Sequence, residues 1–295
     1  MSAEAVERFA CFGGTCEVRV AGDRTAAVRA RERLLDWHHR FTRFTTSSEL
    51  ARLNADPREE VPVSDTMAAL AAAVAAAGER TGGLVDGTLA PEIVTAGFRT
   101  APALPLPLPL ALRLAPRRAS ASPSLDARWR HIATGRGAVR RPTGVAIDGG
   151  GLAKGLFADL LAEELAGRAP FVVDCAGDLR LGGSEARPVR VASPFGDEIL
   201  HTFELRAGGV ATSGIGRRSW LGADGRPAHH LLDPGTGRPA FTGVVQATAL
   251  APTALEAEVL AKAALLSGPR AVDGWLPHGG VVVLDDGSHR IVEAR

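Results

Sequence analysis

Three consecutive glycines constrain this chain more than any other feature. Gly149-Gly150-Gly151 stand between the apolar run Gly144-Val145-Ala146-Ile147-Asp148 and a helically periodic segment from Ala153 to Leu165. The run reads as a strand and the periodic segment as a helix, so the glycines must turn the chain within a few residues. Such a turn points backbone N–H groups at one spot, and Lys154 in the first helical turn adds an ammonium there. That combination can hold a phosphate. Tight packing of the turn explains the glycines equally well. The spacing is neither the Gly-x-Gly-x-x-Gly dinucleotide fingerprint nor the eight-residue phosphate loop. An anion site further requires that this corner open onto a cavity rather than be filled by side chains.

Around this turn, strands and helices interleave. Phe9 to Val20 reads as strand about a Gly13-Gly14-Thr15 turn, residues 24 to 40 as helix, and the hydroxyl residues of Phe41 to Leu50 suit the cap of a short helix that ends near Asn54. Ser64 or Asp65 begins an Ala-rich helix that Gly78, or at the latest Gly82-Gly83, should stop. Pro and Leu alternate from Leu104 to Leu110, and Ser-rich sequence runs on to Ser124. Residues 100–128 are therefore expected to form a surface insert or mobile linker between two lobes. Trp129 to Ile132 and Phe171 to Val173 read as strands, several short strands fill 187 to 211, further strand runs flank 230 and 247, Thr253 to Leu266 is helical, and Gly280 to Leu284 closes the sheet. The class is α/β or α+β with mixed sheets.

With 34 Lys+Arg against 33 Asp+Glu, there is no excess of cations to attract nucleic acid or an anionic membrane. No window has enough uncharged apolar residues to span a bilayer. The opening residues are acidic and lack an apolar segment, so a cytoplasmic location is expected. Cys11, Cys16 and Cys175 have neither disulfide-framework nor metal-ligand spacing. Cys175 reads as a small buried side chain.

Two other segments carry groups that could react or bind. His229-His230-Leu231-Leu232-Asp233-Pro234-Gly235-Thr236-Gly237 puts an imidazole, a carboxylate and a hydroxyl on one loop. His230 is the candidate general base. Alternatively, Asp233 and Thr236 simply satisfy their own turn. Gly208 to Gly214, with Thr212 and Ser213, offers hydroxyls to a ligand or is a plain strand-to-turn transition.

Taken in order, these segments resemble the ApbE family, the FAD:protein FMN transferases, across nearly the whole chain. Gly14-Thr15 resembles the opening Met-Gly-Thr element, with Gly13 in place of Met. Arg43-Phe44 to Asn54, with Ser48-Glu49-Leu50 inside it, resembles Ser-Arg-Phe...Ser-Glu-Leu...Leu-Asn. Thr81 to Thr88 resembles Gly-x-Phe-Asp-Pro-Thr, with Val85 for Phe and Gly87 for Pro. Asp148 to Asp159 matches Gly-Gly-x-Ala-Lys-Gly-x-x-x-Asp. Asp174 to Asp178 resembles Asn-x-Gly-Gly-Asp, Ala211 to Gly214 matches Ala-Thr-Ser-Gly, and His230 to Gly237 fits His-x-x-Asp-Pro-x-Thr-Gly.

The resemblance implies a single T-fold-like unit, over residues 1–295, with FAD in a cleft between lobes. It implies transfer of FMN from FAD to a Thr or Ser hydroxyl of a target protein, with AMP released. By the same resemblance, Gly149, Gly150, Gly151, Lys154, Asp159, Asp86, Thr88, Asp178, Thr212, Ser213, Asp233 and Thr236 contact FAD, and His230 is the base. The family's magnesium sits on an Asp and, four residues later, a Thr or Ser, with a carbonyl near Ala153. Counting back from Gly268, those positions are Glu258 and Lys262. A protonated ammonium has no lone pair to give a metal, so an i, i+4 ion pair is expected where the magnesium would be. The same substitution leaves open an FAD-binding protein with little or no transferase activity, and a plain FAD pyrophosphatase is a further alternative.

Overall fold

Alternating burial builds the sheet. Along the strand Gly14–Ala21, Cys16, Val18 and Val20 are buried while the residues between them are partly exposed. It pairs with Glu4–Cys11 through a tight turn in which Phe12 and Gly13 both have positive φ, 53° and 74°, as a two-residue hairpin turn demands. The computed structural model describes residues 3–99, 105–167 and 169–295. Among these, eight strands form one sheet in the order Glu4–Cys11, Gly14–Ala21, Phe171–Cys175, Asp178–Gly182, Gly208–Gly214, Val244–Ala251, His278–Leu284, His289–Ala294. Every pairing in it is antiparallel, so the fold is of the α+β kind.

The helices are α1 (Arg24–Arg40), α2 (Glu49–Ala55), α3 (Asp65–Arg80), α4 (Ala90–Thr95), α5 (Leu108–Leu114), α6 (Ala153–Leu165) and α7 (Ala254–Ser267). α3 starts at the expected Ser64 cap, α2 at a hydroxyl of the expected stretch, and α1 at Asp23. Asp23, Ser48 and Ser64 each accept an N–H from the first turn that follows. α1, α6 and α7 cover one face of the sheet. α7 is apolar on nearly all sides and correspondingly buried on all of them. The hairpin Arg187–Ala192/Ile199–Leu205 covers the other face, setting Val189 and Leu205 on Val172, Leu181 and Val210. The main apolar core draws residues from Val18 to Val283, and a smaller cluster forms around Leu89, Ile93, Phe98 and Leu232.

Several local expectations are corrected. Trp129 lies in a 3-10 turn, Arg128–His131, not a strand. α3 runs through Gly78 to Arg80, because the missing side chain at Gly78 makes room for an indole: a Cβ there would lie 2.3 Å from the Trp129 ring. Of the Pro-Leu segment, residues 100–104 lie outside the described residues, but Leu108–Leu114 is helical, with Pro109 in the first turn where no N–H is needed. Leu108 and Ala111 are buried, and residues 119–122 are tied down: Ala119 donates to Phe241 O and Ala121 to Leu266 O. His278–Leu284 does not close the sheet, since His289–Ala294 lies outside it.

The most consequential correction concerns the approach to the glycines. Gly144–Asp148 is extended but joins no ladder. Its partner is a side chain: Asn54 donates from Nδ2 to Ile147 O and accepts Ile147 N–H at Oδ1, both at 2.8 Å. Asp148 N–H then goes to Gly87 O at 2.8 Å. One amide side chain thus does the work of a neighbouring strand. Replacing Asn54 with Leu leaves both backbone groups of fully buried Ile147 without partners, which should cost about 2–4 kcal/mol in urea unfolding; a loss under about 1 kcal/mol would show that the anchor is dispensable.

Candidate active site

α6 begins without a side-chain cap of its own. Leu152 occupies the N-cap position, and the third residue, Gly155, donates its N–H to Glu258 Oε2 of α7 at 2.9 Å. α7 receives the same service in return: Ala254 and Leu255 donate their N–H groups to the two oxygens of Asp159 on α6, each at 2.9 Å. Each helix therefore caps the other, with a carboxylate at the positive end of each dipole. The exchange requires near contact of the backbones. A Cβ on Gly155 would lie 2.7 Å from Ala254 O.

Charge gathers at the start of α6. Lys154 forms an ion pair with Asp178, which is almost fully buried and also accepts Thr212 N–H at 3.2 Å. Burial opposes the Lys154 charge, but Asp178 and Glu258 more than offset it and raise its pKa. Lys262, one turn beyond Glu258, has Nζ 4.0 Å from Glu258 Oε1. Burial drives the Glu258 pKa up and the Lys262 pKa down, each partly opposed by the other's charge. Arg218 donates to Phe12 O at 2.8 Å and adds a third cation to the field at Lys154 and Lys262.

His230 sits in that field. Burial, and then the charges of Arg218, His229 and Lys262, hold its pKa well below the ordinary value, so the ring is neutral. Its Nδ1 is buried without a hydrogen-bond partner. Beside it Phe98 lies 6.4 Å away between ring centroids and stacks on Trp220 at 5.2 Å and 15°. Trp220 Nε1 is fixed to Ala96 O at 2.9 Å. Arg43 lies over Phe98 and Phe44 at 4.8 and 4.5 Å and donates to Phe98 O at 2.6 Å, with Asp148 Oδ2 3.9 Å from its Nε. A cationic corner, a neutral imidazole and an aromatic shelf are thus neighbours.

The structure brings together Gly151, Lys154, Asp178, Glu258, Lys262 and His230 from the sequence expectations, and assigns other residues to different work. Gly149 and Gly151 do not form an open cradle: a Cβ on Gly149 would lie 2.8 Å from Leu70, and one on Gly151 2.7 Å from Lys262 Cε. Gly150 is exposed, its N–H turned to Asp148 Oδ1 at 2.8 Å. The turn is packed at both ends, as the alternative reading of the glycines had it. Asp159 is spent on α7 and on Arg180, 3.1 Å from its Oδ1. Asp233 accepts Ser122 N–H at 2.8 Å and the Thr236 hydroxyl at 2.8 Å, so both side chains hold the loop that carries His230.

Strand alternation separates the adjacent hydroxyls. Ser213 shares the helix-facing side with Ala211, whereas Thr212 lies on the side of Val210, hydroxyl to hydroxyl with Thr248 at 2.8 Å. Asp86 Oδ1 accepts the Thr88 hydroxyl at 2.6 Å, while Oδ2 is buried without a partner. Ala153 lies at the first position of α6, buried in the core. Sequence reasoning missed Arg218, Asn54 and the Phe98–Trp220 shelf; the Arg217-Arg218 pair just after Ser213-Gly214 was the available signal for the first.

A divalent ion does not fit Glu258 and Lys262. One Glu258 oxygen is committed to Gly155, and the next residue in the expected ligand set is a buried ammonium. Among the described residues no group of three His, Cys, Asp or Glu side chains is placed to hold a metal.

The model of the ApbE family matches residues 12–284. The chain belongs to that family. ApbE-type relatives include the FAD:protein FMN transferase of Escherichia coli K12, 32% identical over 145 residues, covering 46% of this chain and 41% of that one. The Salmonella typhimurium protein of the same name is 36% identical over 120 residues, 38% of this chain and 34% of its own. The matched stretch thus spans about two fifths or less of those relatives. The ApbE protein of Thermotoga maritima superposes with a TM-score of 0.80 at 26% identity, over 99% of this chain and 97% of its own. The apo flavinyl transferase ApbE of Pseudomonas stutzeri gives 0.77 at 21% identity, over 98% and 95%, a likeness of fold. Among the described residues no helix is long and apolar enough to cross a membrane.

The other imidazole of the loop, His229, makes a separate expectation. It is buried edge-on to Phe241 with centroids 4.7 Å apart, accepts Leu231 N–H at Nδ1, and burial lowers its pKa from 6.5 to about 3. Below pH 6.5 the unfolded chain takes up this proton while the folded one resists it until about pH 3, so stability falls as the pH is lowered through that window. Urea unfolding at pH 7, 6 and 5 should show His229→Asn weaker than wild type at pH 7 but with a pH slope shallower by about 1.4 kcal/mol per unit. An unchanged slope would mean that His229 is not buried neutral.

Proposed function

We propose that this protein transfers FMN from FAD to a Thr or Ser hydroxyl of a target protein, with release of AMP. The observation that carries this reading is the convergence of Lys154, Lys262 and Arg218 at the start of α6 beside a neutral His230. Phosphoryl transfer asks chiefly for charge neutralisation and positioning. The three cations match the charge of a dinucleotide pyrophosphate, and the stacked Phe98 and Trp220 form an apolar wall near His230. The acceptor hydroxyl oxygen forms a bond to the FMN phosphorus as the bond from that phosphorus to the bridging oxygen breaks, and the electron pair leaves on AMP. His230 takes the hydroxyl proton. Family membership and the names of the relatives support the reading, and the near-zero net charge of the chain gives no general attraction for nucleic acid.

A second reading, an FAD-binding protein without transferase activity, rests on Lys262 in place of a metal ligand. The products distinguish them. Incubation with FAD and a cell extract should give AMP and a fluorescent flavinylated protein band; FMN released free would indicate a pyrophosphatase, and tight FAD binding without AMP a carrier. His230→Gln should lower the rate of AMP release about 100-fold or more while FAD still binds. Because burial, and then the charges of Arg218 and Lys262, keep His230 unprotonated, its titration should produce no loss of rate between pH 8 and pH 6. A wild-type rate that falls through this interval, absent in the Gln variant, would contradict the neutral base.

A further inference from the structure

We propose that the Lys262 ammonium takes the place of a divalent ion, so that this site binds the pyrophosphate of a dinucleotide without any metal. The inference rests on the flavin reading above. Lys262 lies across the glycine turn: a Cβ on Gly151 would meet its Cε at 2.7 Å and its Nζ at 3.2 Å. Its side chain is 13% exposed, enough to meet a ligand and too little to be solvated like a surface lysine. Glu258, its nearest carboxylate, is 4.0 Å away, beyond hydrogen-bond distance. The other Glu258 oxygen is occupied with Gly155.

The neighbouring cations are differently placed. Lys154 is directly paired with Asp178, whereas Arg218 meets only a backbone carbonyl, that of Phe12, among the described residues. The expected i, i+4 ion pair of Lys262 with Glu258 is thus present but loose, and Arg218 has no carboxylate partner among the described residues, so both keep donors for an anion. A dinucleotide pyrophosphate carries two negative charges and many acceptor oxygens, and so matches two cations with free donors. A divalent ion at the same place would face the ammonium as a like charge, with a single carboxylate oxygen left to bind it.

Calorimetric titration with FAD, in chelator and in excess magnesium, tests this. For the wild-type protein the two dissociation constants should agree within about twofold, and Lys262→Met should weaken binding in chelator by about tenfold or more, as loss of one charge-assisted hydrogen bond requires. The double variant Glu258→Asp/Lys262→Thr should bind FAD about tenfold more tightly with magnesium than without, since it restores two oxygen donors. Circular dichroism confirms folding, and if the double variant does not fold the first two comparisons decide. Magnesium that tightens wild-type binding tenfold, or a Met variant that binds like wild type in chelator, overturns the inference and leaves the flavin reading standing. Failure of folded wild type to bind FAD in either buffer overturns both.

Discussion

Everything at the site depends on two helices supplying each other's caps. α6 and α7 come from segments nearly a hundred residues apart, yet Asp159 of one holds the first amides of the other, and Glu258 returns a carboxylate to Gly155. A buried helix start without such partners would leave several N–H groups unsatisfied, at a cost of about 1–3 kcal/mol each. Mutual capping removes that cost. It also fixes the corner between the two helices, because the acceptors must sit within hydrogen-bond distance of specific amides. The glycine at 155 is the steric condition for the crossing.

The same exchange settles the electrostatics. A carboxylate on a helix four residues before a lysine would ordinarily be drawn to it, but Glu258 Oε2 turns to a backbone N–H and leaves Lys262 at the edge of its reach. Lys154 meanwhile is held by Asp178, whose second oxygen takes Thr212 N–H. Excess positive charge remains beside a histidine that burial and those cations keep neutral. The sign of this charge favours an anion over a metal ion, although the glycine turn itself is packed by Leu70 and Lys262.

Much of this was legible in the sequence, and what was not has a common cause. The starts of α2 and α3 were readable because Ser48 and Ser64 act on amides three positions away. The Gly-Lys helix start and the i, i+4 pairing of Glu258 with Lys262 were readable because each is local. Gly144–Asp148 was misread because its partner is the Asn54 side chain and not a strand, which no periodicity reveals. Gly78 looked like a stop because Trp129, fifty-one residues on, was not known to pack against it. Asp159, Asp233 and Thr236, expected as ligand contacts, also make internal caps and loop ties that sequence alone did not show. Carboxylates and hydroxyls suit both tasks, and only position decides between them.

The most direct measurement is a crystal structure of the FAD complex grown with a manganese salt, read in anomalous density. The arrangement of charges predicts pyrophosphate oxygens within hydrogen-bond reach of Lys262 and Arg218 at the start of α6, and no anomalous peak between Glu258 and the phosphates. A manganese peak there, or FAD seated with its pyrophosphate away from this corner, would contradict it.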